Sequence, residues 1–319
     1  MREVVFQNEN SQRWQETENY LKKRKKTDPD FLASLFVQLT DDLAYARTYF
    51  PSSKTTAYLN RLTMLAHQQI YVSKKENIHR IYKFFKYDYP LLIHKHYKTL
   101  LYSLLIFLIS CIIGAFSASQ DQNFVRMIMG DAYVNETLEN IEKGEPLAIY
   151  AKQKPLPMFF LITLNNIKVA LMAFGLGAFF SVGTGFMLFR NGIMLGSFQY
   201  FFHSKNLLAV SAMGIWMHGT IEIFSIVVAG AAGLVMGNSL LFPGSYKRID
   251  SFQRGAKEGI RIVVGLIPFF IIAGFIESYL TRHSQLEWLS IAVIVISVGL
   301  IITYFFIYPI ILKHNIWKK

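Results

Sequence analysis

A chain of 319 residues with 52% hydrophobic residues, a mean hydropathy of +0.29 and only 17% charged residues is too apolar for a water-soluble protein of this length. Its formal charge of +12 is distributed in a way that argues against nucleic acid as a partner: residues 1–98 hold 17 of the 33 Lys and Arg against 10 acids, and further basic residues collect at 238–261 and in the tail, beside apolar runs. The single cysteine, Cys111, excludes an intrachain disulfide and any cysteine-based metal site, and reads as a small packing residue.

The expected class is an all-α polytopic membrane protein of about six crossings, some broken or re-entrant, following a cytoplasmic helical domain over residues 1–98 and occupying residues 99–319. In the N-terminal region, Trp14 and Leu21 bracket a first helix. The run 22–26, KKRKK, reads as a solvated face near anionic headgroups rather than a nucleic-acid patch. Phe31, Leu35, Leu39, Leu43 and Ala46 recur at spacings of three and four and predict an amphipathic helix that Pro51 stops. From Thr55 to about Tyr71, Leu59, Leu62, Leu65, Ala66 and Ile70 predict a second helix that folds back on it as a hairpin. Residues 77–98 mix aromatics with Lys, Arg and His, the composition of a helix in the headgroup layer. His79, His94 and His96 fall there, with lysines between them and no cysteine, so they predict no metal site.

The polar start carries no apolar stretch with a cleavage site, so the first crossing is expected to act as its own insertion signal. That crossing, 100–118, and the last, 288–312, each exceed the roughly 18–20 apolar residues that span a bilayer core. Between them, the polar, slightly acidic stretch of about 119–157 is expected outside, and a sequon at Asn135 reads as a chance match. Residues 155–237 must then return to the inside, which three crossings satisfy. Residues 245–260 read as a basic cytoplasmic connection, followed by a crossing at about 261–280. Both termini are thereby expected in the cytoplasm of a cell with an inner membrane.

Polar residues inside crossings are the candidates for function, because each costs a few kcal/mol at the bilayer centre and has to face protein or water. His218, Glu222 and Ser225 fall at i, i+4 and i+7 and form one helical stripe. Asn165, Asn166 and Lys168 lie near one membrane boundary, and Arg190 and Asn191 near another. A buried carboxylate loses its charge or finds a cation, so Glu222 is expected to pair with His218, Lys168 or Arg190. Glycines four apart, Gly192 with Gly196 and Gly233 with Gly237, predict close helix–helix approach.

An enzyme would need more. The sequence HGTIE lacks the second histidine of a zincin helix, and the chain has no nucleophile elbow, no P-loop and no paired aspartates in crossings. The expectation is a non-enzymatic protein without catalytic residues, cofactor or metal site. The lipid bilayer and other envelope proteins are its expected partners, and it is expected to form a homo-oligomer.

DLAYAR (42–47), the Phe50–Pro51 step, LNRLTMLAHQQIY (59–71), NNIKVALMAFGLG (165–177), GTGFMLFRNGIMLG (183–196), HGTIEIFSIVVAGAAGLVMG (218–237) and LLFPGSYKR (240–248) together resemble the stage II sporulation protein M family of bacterial and archaeal membrane proteins. The resemblance implies a polar core at Asn165, Asn166, Asn191, Gly192, His218, Gly219 and Glu222. It also implies a scaffold role, since the founding member anchors soluble hydrolases in a complex that remodels peptidoglycan during sporulation. Lys168 stands where the resemblance leads one to expect arginine, which weakens any bidentate pairing with Glu222. The alternative from the residues themselves is a transporter or channel-like protein that uses the His218–Glu222 stripe.

Overall fold

A computed structural model describes residues 2–22, 29–70, 78–146 and 154–317; the 22–26 basic run lies almost wholly outside them, as does Tyr71. Every regular element among the described residues is helical. The chain divides into two compact units, Met1–Arg80 and Ile81–Lys319, so residues 81–98 belong with the second.

In the first unit, α1 (Glu3–Lys22), α2 (Pro29–Tyr49) and α3 (Lys54–Ile70) enclose a core of Phe6, Trp14, Leu21, Leu32, Leu39, Leu43, Ala46, Leu59, Leu62 and Ala66. The expected hairpin of α2 and α3 forms. The stripe on α2, however, runs through Leu32 rather than Phe31, which is 47% exposed and packs edge-on against Tyr20. The turn at Pro51 is held by Thr56, whose hydroxyl donates to the Phe50 carbonyl at 2.7 Å while its N–H donates to Ser53 Oγ at 3.1 Å. Polar groups at the core edge find partners, as burial requires. The Trp14 indole donates to Asp42 Oδ2 at 2.8 Å, and the Tyr58 hydroxyl donates to Glu18 Oε2 at 2.8 Å. Burial, then the Glu18 carboxylate, pushes the Tyr58 phenol up to about 12.

The boundary falls within α4 (Ile78–Lys83), and the second unit continues with a π-helical turn over Phe84–Asp88 and α5 (Tyr89–Lys95). The interfacial composition expected here hides a core element: Tyr89 is fully buried, with Leu92 and Ile93 beside it, and the Tyr304 hydroxyl donates to the Phe85 carbonyl at 2.7 Å. Next come α6 (Tyr97–Gln120), α7 (Gln122–Met129), α8 (Asp131–Glu142), α9 (Pro155–Gly175), α10 (Val182–Ser204) and α11 (Leu208–Leu241). The unit closes with α12 (Arg248–Gly265), α13 (Ile267–Phe275), α14 (Glu287–Ile301) and α15 (Tyr308–Trp317).

Among the described residues, five helical segments are long and apolar enough to cross a membrane: Tyr97–Gln120, Pro155–Ala178, Leu208–Leu241, Arg248–His283 and Glu287–Asn315. A sixth helix, α10, has 23 residues and carries Arg190, Asn191 and His203 within it. Three helices therefore occupy the 155–237 block, as its length predicts. The connection expected at 245–260 is largely helical: it is mostly α12, in one helical run with α13, with Ser251, Gly255 and Gly259 on a face that packs inward.

The polar stretch after α6 is also structured, with Asp121 capping α7 by accepting the Asn123 N–H at 2.8 Å. Gly130, at φ 87°, breaks α7 from α8 in a conformation that costs a residue without Cβ least. Val125 and Val134 then bury against Phe201 and Phe202 at the end of α10.

α11 is the axis of this unit. Its most apolar window is 72% buried, against 22–28% for Tyr97–Gln120, Pro155–Ala178 and Glu287–Asn315, so the other helices surround it and turn their outer faces away from protein. Small residues make the surround tight. Gly192 and Gly196 on α10 lie directly on the α6 backbone at Phe107 and Cys111, and Gly114 of α6 lies on Ile193. On α11, Gly233 and Gly237 meet Thr184 and Ser181, so both predicted glycine pairs mark helix crossings.

A candidate site in the membrane unit

Within the apolar α11, His218, Glu222 and Ser225 fall on successive helical turns and stack on one face. His218 is ten residues into the helix, about 15 Å from its start at a rise of 1.5 Å per residue, so the group lies towards the end of the unit that carries α7 and α8. Opposite stands Glu277, in a π-helical turn over Ile276–Leu280 that follows α13. Such a turn adds a residue to the helical register and re-aims the side chains after it, and π-turns recur at functional sites.

One ligand atom each from His218, Glu222 and Glu277 lies within 4.8 Å of the others. His218 is 5% exposed, and its Nε2 is 3.9 Å from Glu277 Oε1. On the other ring edge, Nδ1 is 3.1 Å from the Thr281 hydroxyl, which itself donates to the Ile276 carbonyl at 3.3 Å. A threonine hydroxyl has one proton to give. With that proton on Ile276, Thr281 accepts from Nδ1–H, and the Nε2 lone pair faces the carboxylates.

The other residues expected in the polar core divide by position. Asn166 is 4% exposed and close enough to Glu222 to bear on its charge, although its Nδ2 lacks a hydrogen bond of full geometry. Ser225 is buried with its hydroxyl unpartnered. Asn191 is half-buried and donates to the Met187 carbonyl of its own helix at 2.8 Å. Asn165, Lys168 and Arg190 are exposed. Of the three partners expected for Glu222, His218 is the one beside it, with a ring nitrogen within 4.8 Å of its carboxylate; among the described residues no ion pair joins it to Lys168 or Arg190, which are both exposed. The neighbour that was not expected is a second carboxylate, Glu277. Glu277 escaped the sequence reading, although a glutamate within the predicted 261–280 crossing is itself a signal of an intramembrane site.

Two cavities meet at Glu222. One, of about 340 Å³, is bounded by His218, Glu222 and Asn191 and reaches Met129 and Tyr133 of α7 and α8. The other, of about 640 Å³, is bounded by Glu222, Asn165, Asn166 and Asn191, with Lys168 and Arg190 at its rim. Both volumes exceed the ~30 Å³ that a water molecule occupies. Two carboxylates and an imidazole in this setting need a counter-charge, because a buried anion without one is strongly disfavoured. The arrangement is suited to accepting protons or a cation.

The sequence profile described as stage II sporulation protein M matches residues 103–282, more than half of the chain and all of the cluster. A second profile, described as a domain of unknown function, matches residues 4–72, within the first unit. No curated protein and no solved structure is similar to the chain at a significant level. With its membrane unit spanned in this way, the chain belongs to the stage II sporulation protein M family.

Proposed function

We propose that this is a multi-pass protein of a bacterial inner membrane, with both termini cytoplasmic, whose membrane unit binds and passes a small cation at His218, Glu222 and Glu277 without catalysing a reaction. The observation that carries the reading is that both cavities are bordered by Glu222 and Asn191, one of them leading towards α7 and α8 and the other bordered also by Asn165 and Asn166. A dry knot serving only to tie helices together would satisfy its polar groups, yet Ser225 Oγ is left without a partner and Asn166 Nδ2 makes no hydrogen bond of full geometry. The orientation is supported by the basic residues of 1–98 and 238–261, which flank crossings on the side opposite the acidic 121–154 stretch.

Reconstitution tests it. Proteoliposomes holding the full chain should admit protons or a metal cation, followed with entrapped dyes, and Glu222→Gln with Glu277→Gln should abolish the flux while the protein stays folded. Intact wild-type protein that moves neither overturns the reading.

A second reading, a scaffold that recruits envelope proteins and self-associates, is favoured by one observation: the Met1–Arg80 unit has its own three-helix core and matches a different family profile from the membrane unit. Crosslinking in cells that captured one dominant envelope protein through this unit, together with no flux, would put that role first.

A further inference from the structure

We propose that His218, Glu222 and Glu277 form a site for one divalent first-row transition-metal ion, with coordination positions left open towards the cavities. This deepens the cation reading by naming the ligand, and rests on it.

The donor set is the first argument. One imidazole nitrogen and two carboxylate oxygens suit Zn²⁺ or Mn²⁺; an all-oxygen set would suit Mg²⁺ or Ca²⁺, and sulfur ligands would suit copper(I). The three ligand atoms, within 4.8 Å of one another, need only small side-chain rotations to reach the ~3.3 Å separations that bonds of about 2.0–2.1 Å impose in a tetrahedron.

The second argument is orientation. Metal-bound histidines almost always donate their other ring N–H to an oxygen, which fixes the tautomer. Thr281, anchored on the Ile276 carbonyl, is placed to do this for His218 at Nδ1, while Nε2 lies on the side of Glu277 at 3.9 Å from its Oε1.

The third is charge. Two carboxylates match a divalent ion to net zero, and a neutral site is the arrangement that a low-dielectric interior tolerates. Among the described residues no lysine or arginine ion pair supplies that charge to Glu222 or Glu277. The fourth is the setting: Asn166, 96% buried with an unpartnered Nδ2, borders the same cavity as Glu222 and offers its amide to the ion's remaining ligands. This revises the sequence expectation of no metal, which rested on the missing second histidine and did not include Glu277.

The test is equilibrium binding of Zn²⁺, and separately of Mn²⁺, to the purified full-length protein in detergent after chelator treatment, with Mg²⁺ as competitor. One Zn²⁺ per chain is expected, held more tightly than Mn²⁺ and resistant to excess Mg²⁺. Glu277→Gln, Glu222→Gln and His218→Ala should each weaken binding at least tenfold. Thr281→Val, which removes no ligand, should weaken it by about tenfold with the thermal unfolding profile unchanged. Absence of stoichiometric binding by the wild type overturns the proposal, as does binding that persists in a folded Glu222→Gln, Glu277→Gln double variant. If a ligand variant fails to fold, the Thr281→Val affinity and the Mg²⁺ competition decide. Zinc binding without flux sinks transport and leaves the metal site standing; proton flux without metal binding sinks the metal site alone.

Discussion

Gly196→Ala adds a single methyl group to α10 where the helix lies on α6. The new Cβ would collide with the Cys111 carbonyl oxygen and stand 2.9 Å from the Ala115 nitrogen, where ordinary contact begins at 3.4 Å. Both obstacles are backbone, so no rotamer change relieves them and the two helices must part. Overpacking of this kind costs about 1–3 kcal/mol, from which the better helix propensity of alanine recovers less than about 1 kcal/mol. A net loss of about 1 kcal/mol corresponds to a melting temperature lower by roughly 2–4 °C for a unit of this size. Gly185 on the same helix provides the control, since a Cβ there meets nothing within 4 Å. Gly185→Ala should therefore be neutral or slightly stabilising. Thermal unfolding of both variants in one detergent checks the pair. If Gly196→Ala melts within about 1 °C of the wild type, or if both variants shift alike, the α6–α10 contact is not as close as described.

Glu258→Gln removes the charge that Lys95 meets at 2.5 Å and His96 at 2.6 Å, and because the group is partly exposed the loss should be about 1 kcal/mol, read by thermal unfolding at low and high salt. Burial, opposed in part by Glu258, holds His96 below its ordinary value, so below about pH 6.5 the unfolded chain takes up this proton first. The stability that neutral His96 contributes is thus present above that pH and is lost as pH falls; His96→Gln should melt with a flatter pH dependence than wild type between pH 8 and 5.5. In the first unit, Leu59→Ala empties a fully buried position between α2 and α3, and a loss of about 2–5 kcal/mol should make that unit of the full chain sensitive to protease before the membrane unit. Tyr58→Phe deletes the hydrogen bond to Glu18 and should cost about 1 kcal/mol by the same measurement.

Composition, periodicity and charge by themselves determined the class of this protein. Runs such as 100–118 and 288–312 cannot be solvated by water, so they specify crossings whatever their neighbours are. The glycine pairs likewise announced close approach, because a missing Cβ has the same steric consequence in any tight crossing. Local spacing also placed His218, Glu222 and Ser225 on one face, since a helix fixes i, i+4 and i+7 without help from the fold.

What spacing cannot supply is the partner across the gap. Glu277 is 55 positions after Glu222, and only the packing of α13 and its π-helical turn against α11 brings it to His218. The same limit applied to Lys168 and Arg190, which looked like counter-ions by their nearness to the membrane block but turn outward on α9 and α10. It applied again to residues 77–98, whose composition did not reveal that Tyr89, Leu92 and Ile93 fill the core. Sequence thus determined which residues must avoid lipid. The tertiary structure decided which of them face one another, because contact between helices depends on crossings and turns that no local pattern encodes.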